Sequence, residues 1–178
     1  MQKKEIEKIY IKKINKLKKY DKAYFEHDSP LISDKDYDDI KQEILELECD
    51  ILVPAAIDRV INAGNAEKVK AKLVVEAANH PSTPEADEIL ANRGVHVLPD
   101  ILVNAGGVVV SYFEWTQNLY QHRWAEERVN TELGQIMSGA YGSVREQANR
   151  LQVSMREAAL MVGIKRVARV VEMRGFVP

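Results

Sequence analysis

Residues 72–115 read KLVVEAANHPSTPEADEILANRGVHVLPDILVNAGGVVVSYFEW, and the predicted architecture rests on this stretch. Two apolar runs within it, at 73–75 and 95–98, have the length of β-strands. Between them lies a helix-like pattern that is bounded by Ser82, Thr83 and Pro84 at one end and by Gly94 at the other. Strand, helix and strand in this order predict a βαβ unit with parallel strands.

Small and polar residues follow both apolar runs, at the point where a parallel sheet presents its carboxyl edge. The first run leads into Ala78, Asn79 and His80, and the second leads into Asn104 and the rest of an Asn-Ala-Gly-Gly sequence. The amide of Asn79 can both donate and accept hydrogen bonds. Asn104 is expected at a helix N-terminus, where free backbone N–H groups favour an electron-rich ligand group. We therefore expect the two loops to lie side by side and to form the binding site.

Length and composition favour a small globular protein. The chain has 178 residues, a formal net charge of -2 and a pI near 6.1, which give no electrostatic footprint for nucleic acid or for an anionic membrane. Its one cysteine, Cys49, excludes an internal disulfide, and no histidine pairs with another at metal-ligand spacing. The first residues lack the apolar segment of a signal peptide, and no stretch reaches the length of a membrane span. These features predict a cytoplasmic protein.

The sequence around both loops closely resembles the C-terminal part of the NAD(P)-binding domain of glutamate dehydrogenases. The resemblance starts at CDILVPAA, residues 49–56, and extends to AALMVGIKRVARVVEMRGFV, residues 158–177, so that it covers about three quarters of the chain. It implies part of a doubly wound sheet with NAD or NADP as cofactor. It also implies oxidative deamination of glutamate to 2-oxoglutarate and ammonia.

The same resemblance implies roles for four residues in and after the two loops. It makes Ala78 and Asn79 cofactor contacts, and it assigns Asn104 to the nicotinamide-ribose end of the cofactor. Ser111, which shares a helix face with Asn104, corresponds to a contact with the side-chain carboxylate of glutamate or 2-oxoglutarate. Taken alone, a serine in the middle of a helix is more often a packing residue.

Other parts of a complete dehydrogenase site have no counterpart in the sequence. No Gly-x-Gly-x-x-Gly motif is present to cradle the diphosphate of the cofactor, and no acidic residue can be assigned to the adenosine ribose. Nothing in the sequence matches the catalytic lysines and aspartate that glutamate dehydrogenases carry in a preceding substrate domain. We therefore predict half a cofactor site without a general acid or base, and a chain that is catalytically incomplete by itself.

Composition changes abruptly near Glu48. Every glycine, arginine and valine lies after this point, whereas most of the lysines lie before it. A lysine-rich helical arm is one explanation. Because lysine and arginine have similar helix propensities, such an arm does not explain the absence of arginine. We favour a junction between two segments of different ancestry, residues 1–48 and residues 49–178.

Residues 1–48 have the apolar spacing of a helical hairpin. The first helix is predicted to end near Asp28, before Pro30. Ser33, with an aspartate three residues later, indicates the start of a second helix that runs to about Glu48.

Residues 20–48, YDKAYFEHDSPLISDKDYDDIKQEILELE, resemble the small N-terminal helical domain of NAD-dependent bacterial DNA ligases. In that family the domain grips the nicotinamide mononucleotide half of NAD. The resemblance implies that Tyr24 and Tyr37 stack on the mononucleotide and that Asp34 and Asp38 meet its charge and its ribose hydroxyls. As an alternative, the tyrosines simply close the hairpin. The adenylation domain of the ligases has no counterpart, so ligase activity is excluded.

Several side chains can serve either a site or the core. Glu76, at a strand end, is a functional carboxylate or a buried partner of a backbone amide, and His80 is a candidate for lining the site. Tyr112, Trp115 and Trp124 are most simply helix-packing residues.

The remaining elements follow from apolar patterns and capping residues. The predicted segments are a strand at 51–53, a short broken helix at 57–69, and helices after 104, at about 124–151, and from a capping box at 154 to just before 175.

The predicted fold is α/β, a partial doubly wound sheet of three parallel strands with C-terminal helices and an N-terminal helical hairpin. Three functions stay open: an incomplete member of the glutamate dehydrogenase family, a non-catalytic chimeric protein, and a weak module for NAD or nicotinamide mononucleotide. The strand at 51–53 would lie beside the first strand of a complete sheet, which is absent from the sequence. Its bare edge predicts self-association.

Overall fold

Helices dominate the chain, and three short strands interrupt them. The computed structural model describes residues 3–27, 29 and 31–175. Beside a 3₁₀ turn at Ala66–Lys68, the described elements are α1 (Lys3–His27), α2 (Asp34–Leu45), β1 (Ile51–Leu52), β2 (Leu73–Val75), α3 (Pro84–Asn92), β3 (His96–Leu98), α4 (Asp100–Val103), α5 (Ala105–Tyr120), α6 (Glu126–Leu151) and α7 (Met155–Arg174).

The sheet has three parallel strands in the order β1-β2-β3. β1 pairs with β2 so that Ile51 lies opposite Leu73. The N–H of His96 on β3 donates at 3.0 Å to the carbonyl of Lys72, the residue directly before β2. α3 connects β2 to β3, which confirms the predicted βαβ unit and the α/β fold class.

Local chemistry explains why α3 forms where it does. The Thr83 hydroxyl accepts a hydrogen bond from the Ala86 N–H at 3.3 Å, and Pro84 occupies the first turn, where its missing N–H costs nothing. At the other end Gly94 adopts a φ of 71°, a left-handed conformation that glycine tolerates and that turns the chain towards β3.

The chain divides into two compact units. The first comprises Met1–Leu52, Arg59–Val74 and Ser82–His96, and the second comprises Val53–Asp58, Val75–Pro81 and Val97–Pro178. The predicted domain boundary between residues 48 and 49 stays a prediction.

The first unit contains the hairpin and a small apolar core. Fully buried side chains of this core include Ile61, Val69, Val74 and Leu90. In the hairpin the Ser33 hydroxyl accepts from the Asp36 N–H at 3.2 Å, which confirms the predicted helix start.

The ends of the two hairpin helices agree less closely with the predictions. α2 ends at Leu45 rather than near Glu48, because the N–H of Glu46 closes a C-cap on the last turn. The predicted break at Asp28 and Pro30 lies outside the described residues. Only Ala23 is buried among the described hairpin residues, so ion pairs such as the one between Lys13 and Glu43 join two largely exposed helices.

The predicted helix at 57–69 is wrong. This segment forms turns and a single 3₁₀ turn, because asparagine side chains take backbone partners that a helix would need. The Asn65 side chain accepts from the Asn62 N–H at 2.8 Å and donates to the Val60 carbonyl at 2.7 Å. The N–H of Gly64 donates to the Asn62 side chain at 3.0 Å.

Helices α4 to α7 make up most of the second unit. The Ser154 hydroxyl accepts from the Glu157 N–H while the Glu157 carboxylate accepts from the Ser154 N–H, which confirms the predicted capping box of α7. The core of the helices is a cluster of Leu102, Val144, Ala148, Ala158 and Ala159.

The predicted helix after Asn104 is confirmed, since α5 begins at Ala105, and the short helical turn α4 precedes Asn104. α6 begins at Glu126, two residues after the predicted start at about Trp124. Trp124 packs on Phe113 with ring centroids 5.3 Å apart, as expected of a packing residue. Tyr112 and Trp115 are exposed instead, and their rings contact each other. Among the described helices, none combines the length and the hydropathy needed to cross a membrane.

Candidate functional site

An open groove of ≈ 700 Å³ lies at the carboxyl ends of the strands and is built entirely from the second unit. Segments following each of the three strands contribute to it, together with the first turns of α5. The lining residues are Ala56, Ile57, Asp58, Ala77, Ala78, Asn79, Asn104, Gly107, Val108 and Ser111. The groove therefore contains the four site residues predicted for this edge of the sheet.

Asn79 and Asn104 form a direct hydrogen bond across the groove. The Asn104 Nδ2 donates to the Asn79 Oδ1 at 2.6 Å, which confirms that the two loops lie side by side. Each side-chain amide carries two N–H donors and an oxygen that accepts twice. The bond thus leaves the pair with donor capacity on Asn79 and acceptor capacity on Asn104, in an opening where Ala78 and Gly107 occupy little space.

Asn104 does not begin a free helix N-terminus. Its N–H donates to the Asp100 carbonyl at 2.9 Å, because α4 runs directly into α5, and the Gly107 N–H donates to the Asn104 carbonyl at 3.2 Å. The N–H groups of Asn104 and Gly107 therefore already have partners, and the side-chain amide is the group that Asn104 presents to the groove.

Ser111 lines the groove, on the helix that follows Asn104. Its hydroxyl donates to the Gly107 carbonyl at 3.0 Å. A hydroxyl has one donor hydrogen, so a hydrogen bond from Ser111 to a substrate carboxylate requires this side chain to rotate away from Gly107.

Beneath the loops lies a charged network that the sequence did not reveal. The Arg156 guanidinium, from α7, donates to both carboxylate oxygens of Glu76 at 2.8 and 2.7 Å and to Asp100 Oδ1 at 2.8 Å. Glu76 also accepts from the Asp100 N–H at 2.9 Å, as predicted for a buried partner of a backbone amide. Glu76 is 0% exposed, so the guanidinium supplies the positive charge that a buried carboxylate needs.

Asp100 connects this network to the Asn79 loop. Its Oδ2 accepts from the His80 N–H at 2.8 Å. Burial acts to raise the pKa of the Asp100 carboxyl, but hydrogen bonds from the N–H groups of His80 and Ile101, with the charge of Arg156, together lower it. The imidazole of His80 is exposed, with Nδ1 4.0 Å from Asp100, and it is not among the groove-lining side chains.

A second cavity, of ≈ 220 Å³, lies in the hairpin. Three of the four residues predicted to hold a mononucleotide line it, and Asp38 does not. The lining residues are Tyr20, Asp21, Tyr24, Phe25, Leu31, Ile32, Asp34, Tyr37 and Lys41.

One tyrosine of this cavity, Tyr37, is bonded within the hairpin. The Tyr37 hydroxyl donates to Asp21 Oδ1 at 2.5 Å, and the Lys41 ammonium lies 4.4 Å from the centroid of the Tyr37 ring. Burial, the hydrogen bond to Asp21 and the charges of Asp21 and Asp38 raise the pKa of Tyr37 to about 12. These contacts favour the alternative in which Tyr37 closes the hairpin.

No cluster of three histidine, cysteine, aspartate or glutamate side chains that could hold a metal ion occurs in residues 3–27, 29 and 31–175. Asp58 is the carboxylate that the described lining of the groove contains, and sequence reasoning overlooked it.

The βαβ unit and the three parallel strands form part of a Rossmann-like domain. The chain belongs to the Glutamate/Leucine/Phenylalanine/Valine dehydrogenase family, whose model matches residues 1–175. Because this match includes the hairpin, the comparisons give no support to a junction of unrelated segments. The resemblance of residues 20–48 to DNA ligases stays a prediction.

Individual relatives agree with the family assignment. The chain is 53% identical over 137 residues to a glutamate dehydrogenase of Thermotoga maritima and 49% identical over 135 residues to an NAD-specific glutamate dehydrogenase of Staphylococcus aureus. These matches cover 77% and 76% of the chain and 33% of each relative. A hetero-hexameric glutamate dehydrogenase from Thermus thermophilus superimposes with a TM-score of 0.75 at 30% identity, over 90% of this chain and 38% of that one. The chain thus spans about one third of the length of its curated relatives.

Proposed function

We propose that this chain carries the nicotinamide end of the NAD(P) site of a glutamate dehydrogenase. The observation that carries the proposal is the bonded pair of Asn79 and Asn104 in a groove at the carboxyl edge of the sheet. When bound, the cofactor would supply the hydride acceptor for oxidative deamination of glutamate to 2-oxoglutarate and ammonia. The names of the relatives from Thermotoga and Staphylococcus support this choice of reaction.

The groove suits a flat carboxamide. A nicotinamide carboxamide presents one oxygen acceptor and two N–H donors, which complement the remaining donor of Asn79 and the remaining acceptor of Asn104. Ala78 and Gly107 leave room for the ring beside this pair. Ser111, once its hydroxyl turns from the Gly107 carbonyl, would donate to the side-chain carboxylate of glutamate or 2-oxoglutarate.

Turnover by the 178-residue chain is not expected. Its sequence contains no glycine-rich diphosphate motif, and no lysine is among the residues that line the groove. Positioning of the substrate and general acid–base catalysis each supply orders of magnitude in rate, and these are the parts without an assigned residue.

Titration of the purified chain with NAD and with nicotinamide mononucleotide tests the proposal. We expect a dissociation constant of about 1 mM or weaker, which corresponds to roughly 4 kcal/mol from contacts at the nicotinamide end. Asn104→Ala should weaken binding, and neither protein should reduce NAD or NADP with glutamate. Turnover that survives purification and disappears in Asn104→Ala would overturn the expectation of inactivity.

The hairpin cavity supports a second candidate, a nicotinamide mononucleotide module. Tyr24, Asp34 and Tyr37 line the cavity together, as the resemblance to DNA ligases implies. If the hairpin cavity is the binding site, Tyr37→Ala should abolish mononucleotide binding, whereas Asn79→Ala should leave it unchanged. The opposite pattern would reject the hairpin and favour the groove.

Self-association is the third part of the proposal. β1 lies at the edge of the sheet, and the side chains of Ile51 and Val53 on either side of Leu52 are exposed. Exposed apolar edges recruit partners. The hexameric state named for the Thermus relative is consistent with subunit contacts in the family.

Sedimentation velocity at several concentrations should therefore show a dimer or a larger species. Leu52→Lys should shift the protein towards monomer or destroy the fold. The substitution places a charge on β1, and pairing of two chains at this strand would bury that charge. A wild-type chain that stays monomeric and cooperatively folded at high concentration would contradict this proposal.

A further inference from the structure

The charged network under the groove links α7 to the loop that carries Asn79. Arg156 contacts Asp100 through Nη1 and Glu76 through Nη2, with distances of 2.7 to 2.8 Å. Asp100 uses its other carboxylate oxygen to accept from the His80 N–H at 2.8 Å. A continuous chain of hydrogen bonds thus runs from the last helix to the residue directly after Asn79.

His80 needs such support because of its backbone conformation. Its φ is 45°, in the left-handed region that residues with a side chain rarely adopt and that costs free energy. Residues stay in this region when their surroundings hold them there. The bond from the His80 N–H to Asp100 holds the backbone of this residue, which directly follows Asn79.

The geometry of the network calls for a guanidinium. A planar guanidinium presents several N–H donors in a fixed fork, whereas an ammonium is a single point charge on a flexible stem. Arg156 serves two carboxylates at once, and Glu76 is fully buried. A lysine at this position keeps the positive charge but cannot hold both carboxylates in the same orientation.

We propose that Arg156 is a positioning residue for the Asn79 and Asn104 pair, acting through Asp100 and the His80 backbone. This role rests on the proposed cofactor function of the groove. Arg156 itself is absent from the groove lining. Its effect is therefore on the placement of the Asn79 amide rather than on contact with a ligand.

Arg156→Lys tests the proposal, with Arg166→Lys as the matched control. Arg166 is an exposed arginine on the same helix, so the control makes the same chemical change away from the network. In Arg156→Lys we expect the His80 amide proton to exchange about tenfold faster with solvent, with little change at amides in α6. The side-chain amide signals of Asn79 and Asn104 should shift, and the dissociation constants of NAD and nicotinamide mononucleotide should rise about tenfold. Arg166→Lys should change none of these.

Asp100→Asn tests the residue that connects Arg156 to His80. This second variant also provides a test if Arg156→Lys fails to fold. Arg156 donates to Oδ1 and His80 donates to Oδ2 of Asp100, and in the amide one of these two positions becomes an NH2 group that cannot accept. We expect the same faster exchange at His80 and the same shift of the Asn79 and Asn104 signals.

The outcomes separate this inference from the proposed function. Uniform loss of protection across the second unit would show a purely structural role for Arg156 and overturn the inference. So would unchanged exchange at His80 in a folded variant, or altered exchange with unaltered nucleotide affinity. If the wild-type chain binds no nicotinamide nucleotide up to ~20 mM, the proposed function fails, and the amide signals still decide whether Arg156 positions the pair.

Discussion

The groove at the strand ends and the hairpin cavity differ in what holds their polar side chains. In the groove, Asn79 and Asn104 lie above a buried network that begins at Glu76, and each retains hydrogen-bonding capacity for a ligand. In the hairpin, the Tyr37 hydroxyl is bonded to Asp21, and Phe25 is 79% exposed. In the groove, the amide pair keeps donors and acceptors that a ligand can use. In the hairpin cavity, the Tyr37 hydroxyl already uses its donor in the bond to Asp21.

This difference suggests how a binding site can be distinguished from a structural contact. A site gains affinity when its groups are fixed before the ligand arrives and remain available to it. The amide pair of the groove meets both conditions. Tyr37 meets the first condition only, because its donor already serves Asp21.

The largest expected effect concerns apolar packing, which differs between the helical cluster of the second unit and the hairpin. Leu102 is 7% exposed and packs with Val144 and other buried residues of the helical cluster, so Leu102→Ala should lower the free energy of unfolding by about 2 to 5 kcal/mol. Leu31, in the hairpin cavity, is 53% exposed, and Leu31→Ala should change it by less than about 0.5 kcal/mol.

Urea denaturation followed by circular dichroism measures both changes. If both variants lose the same free energy of unfolding, Leu31 is packed as tightly as Leu102, and the contrast between the two regions disappears.

The second prediction separates stability from binding. Tyr37→Phe removes the hydrogen bond to Asp21 and should cost about 0.5 to 1.5 kcal/mol of stability without changing nucleotide affinity. Asn104→Ala removes an exposed hydrogen bond to Asn79, so stability should stay within about 0.5 kcal/mol. Its nucleotide affinity should fall about tenfold.

Unfolding curves give the stability of each variant, and nucleotide titrations give the affinity of each. If Tyr37→Phe weakens binding and Asn104→Ala does not, the assignment of the two cavities is reversed.

Much of the fold could be predicted because its signals are local. Ser33, Thr83 and Ser154 each cap the helix that follows them, and capping residues can be read directly from the sequence. The contact between Asn79 and Asn104 was predictable for a topological reason, since both follow parallel strands and such ends meet at one edge.

The missed features depend on contacts between distant residues or on side chains that override local preference. Arg156 lies 80 residues from Glu76 and 56 from Asp100, and no local pattern connects them. A glutamate directly after an apolar strand was the available signal, because a buried carboxylate requires a cation. At 57–69 the apolar residues suggested a helix, but Asn65 bonds to its own turn instead.

The smallest expected effect is a difference in how pH acts on the two cavities. The pKa of Tyr37 rises from 10.0 to about 12, so its contribution to stability is fully present below about pH 10 and is lost as the pH rises towards 12. The pKa of Asp100 is lowered, so its contribution is present above its ordinary value of 3.8 and is lost as the pH falls through the lower folded value.

NMR titration of the Tyr37 ring and of the Asp100 carboxyl measures the two midpoints directly. Asp21→Asn should bring the Tyr37 midpoint back towards 10.0, because it removes the carboxylate that accepts from the hydroxyl and opposes its ionisation. The same substitution should leave the pKa of Asp100 unchanged, since burial, the N–H groups of His80 and Ile101 and the charge of Arg156 act on it, and Asp21 does not. A Tyr37 midpoint near 10 in the wild-type protein would contradict the hydrogen bond to Asp21, and the hydroxyl would then be available to a ligand in the hairpin cavity.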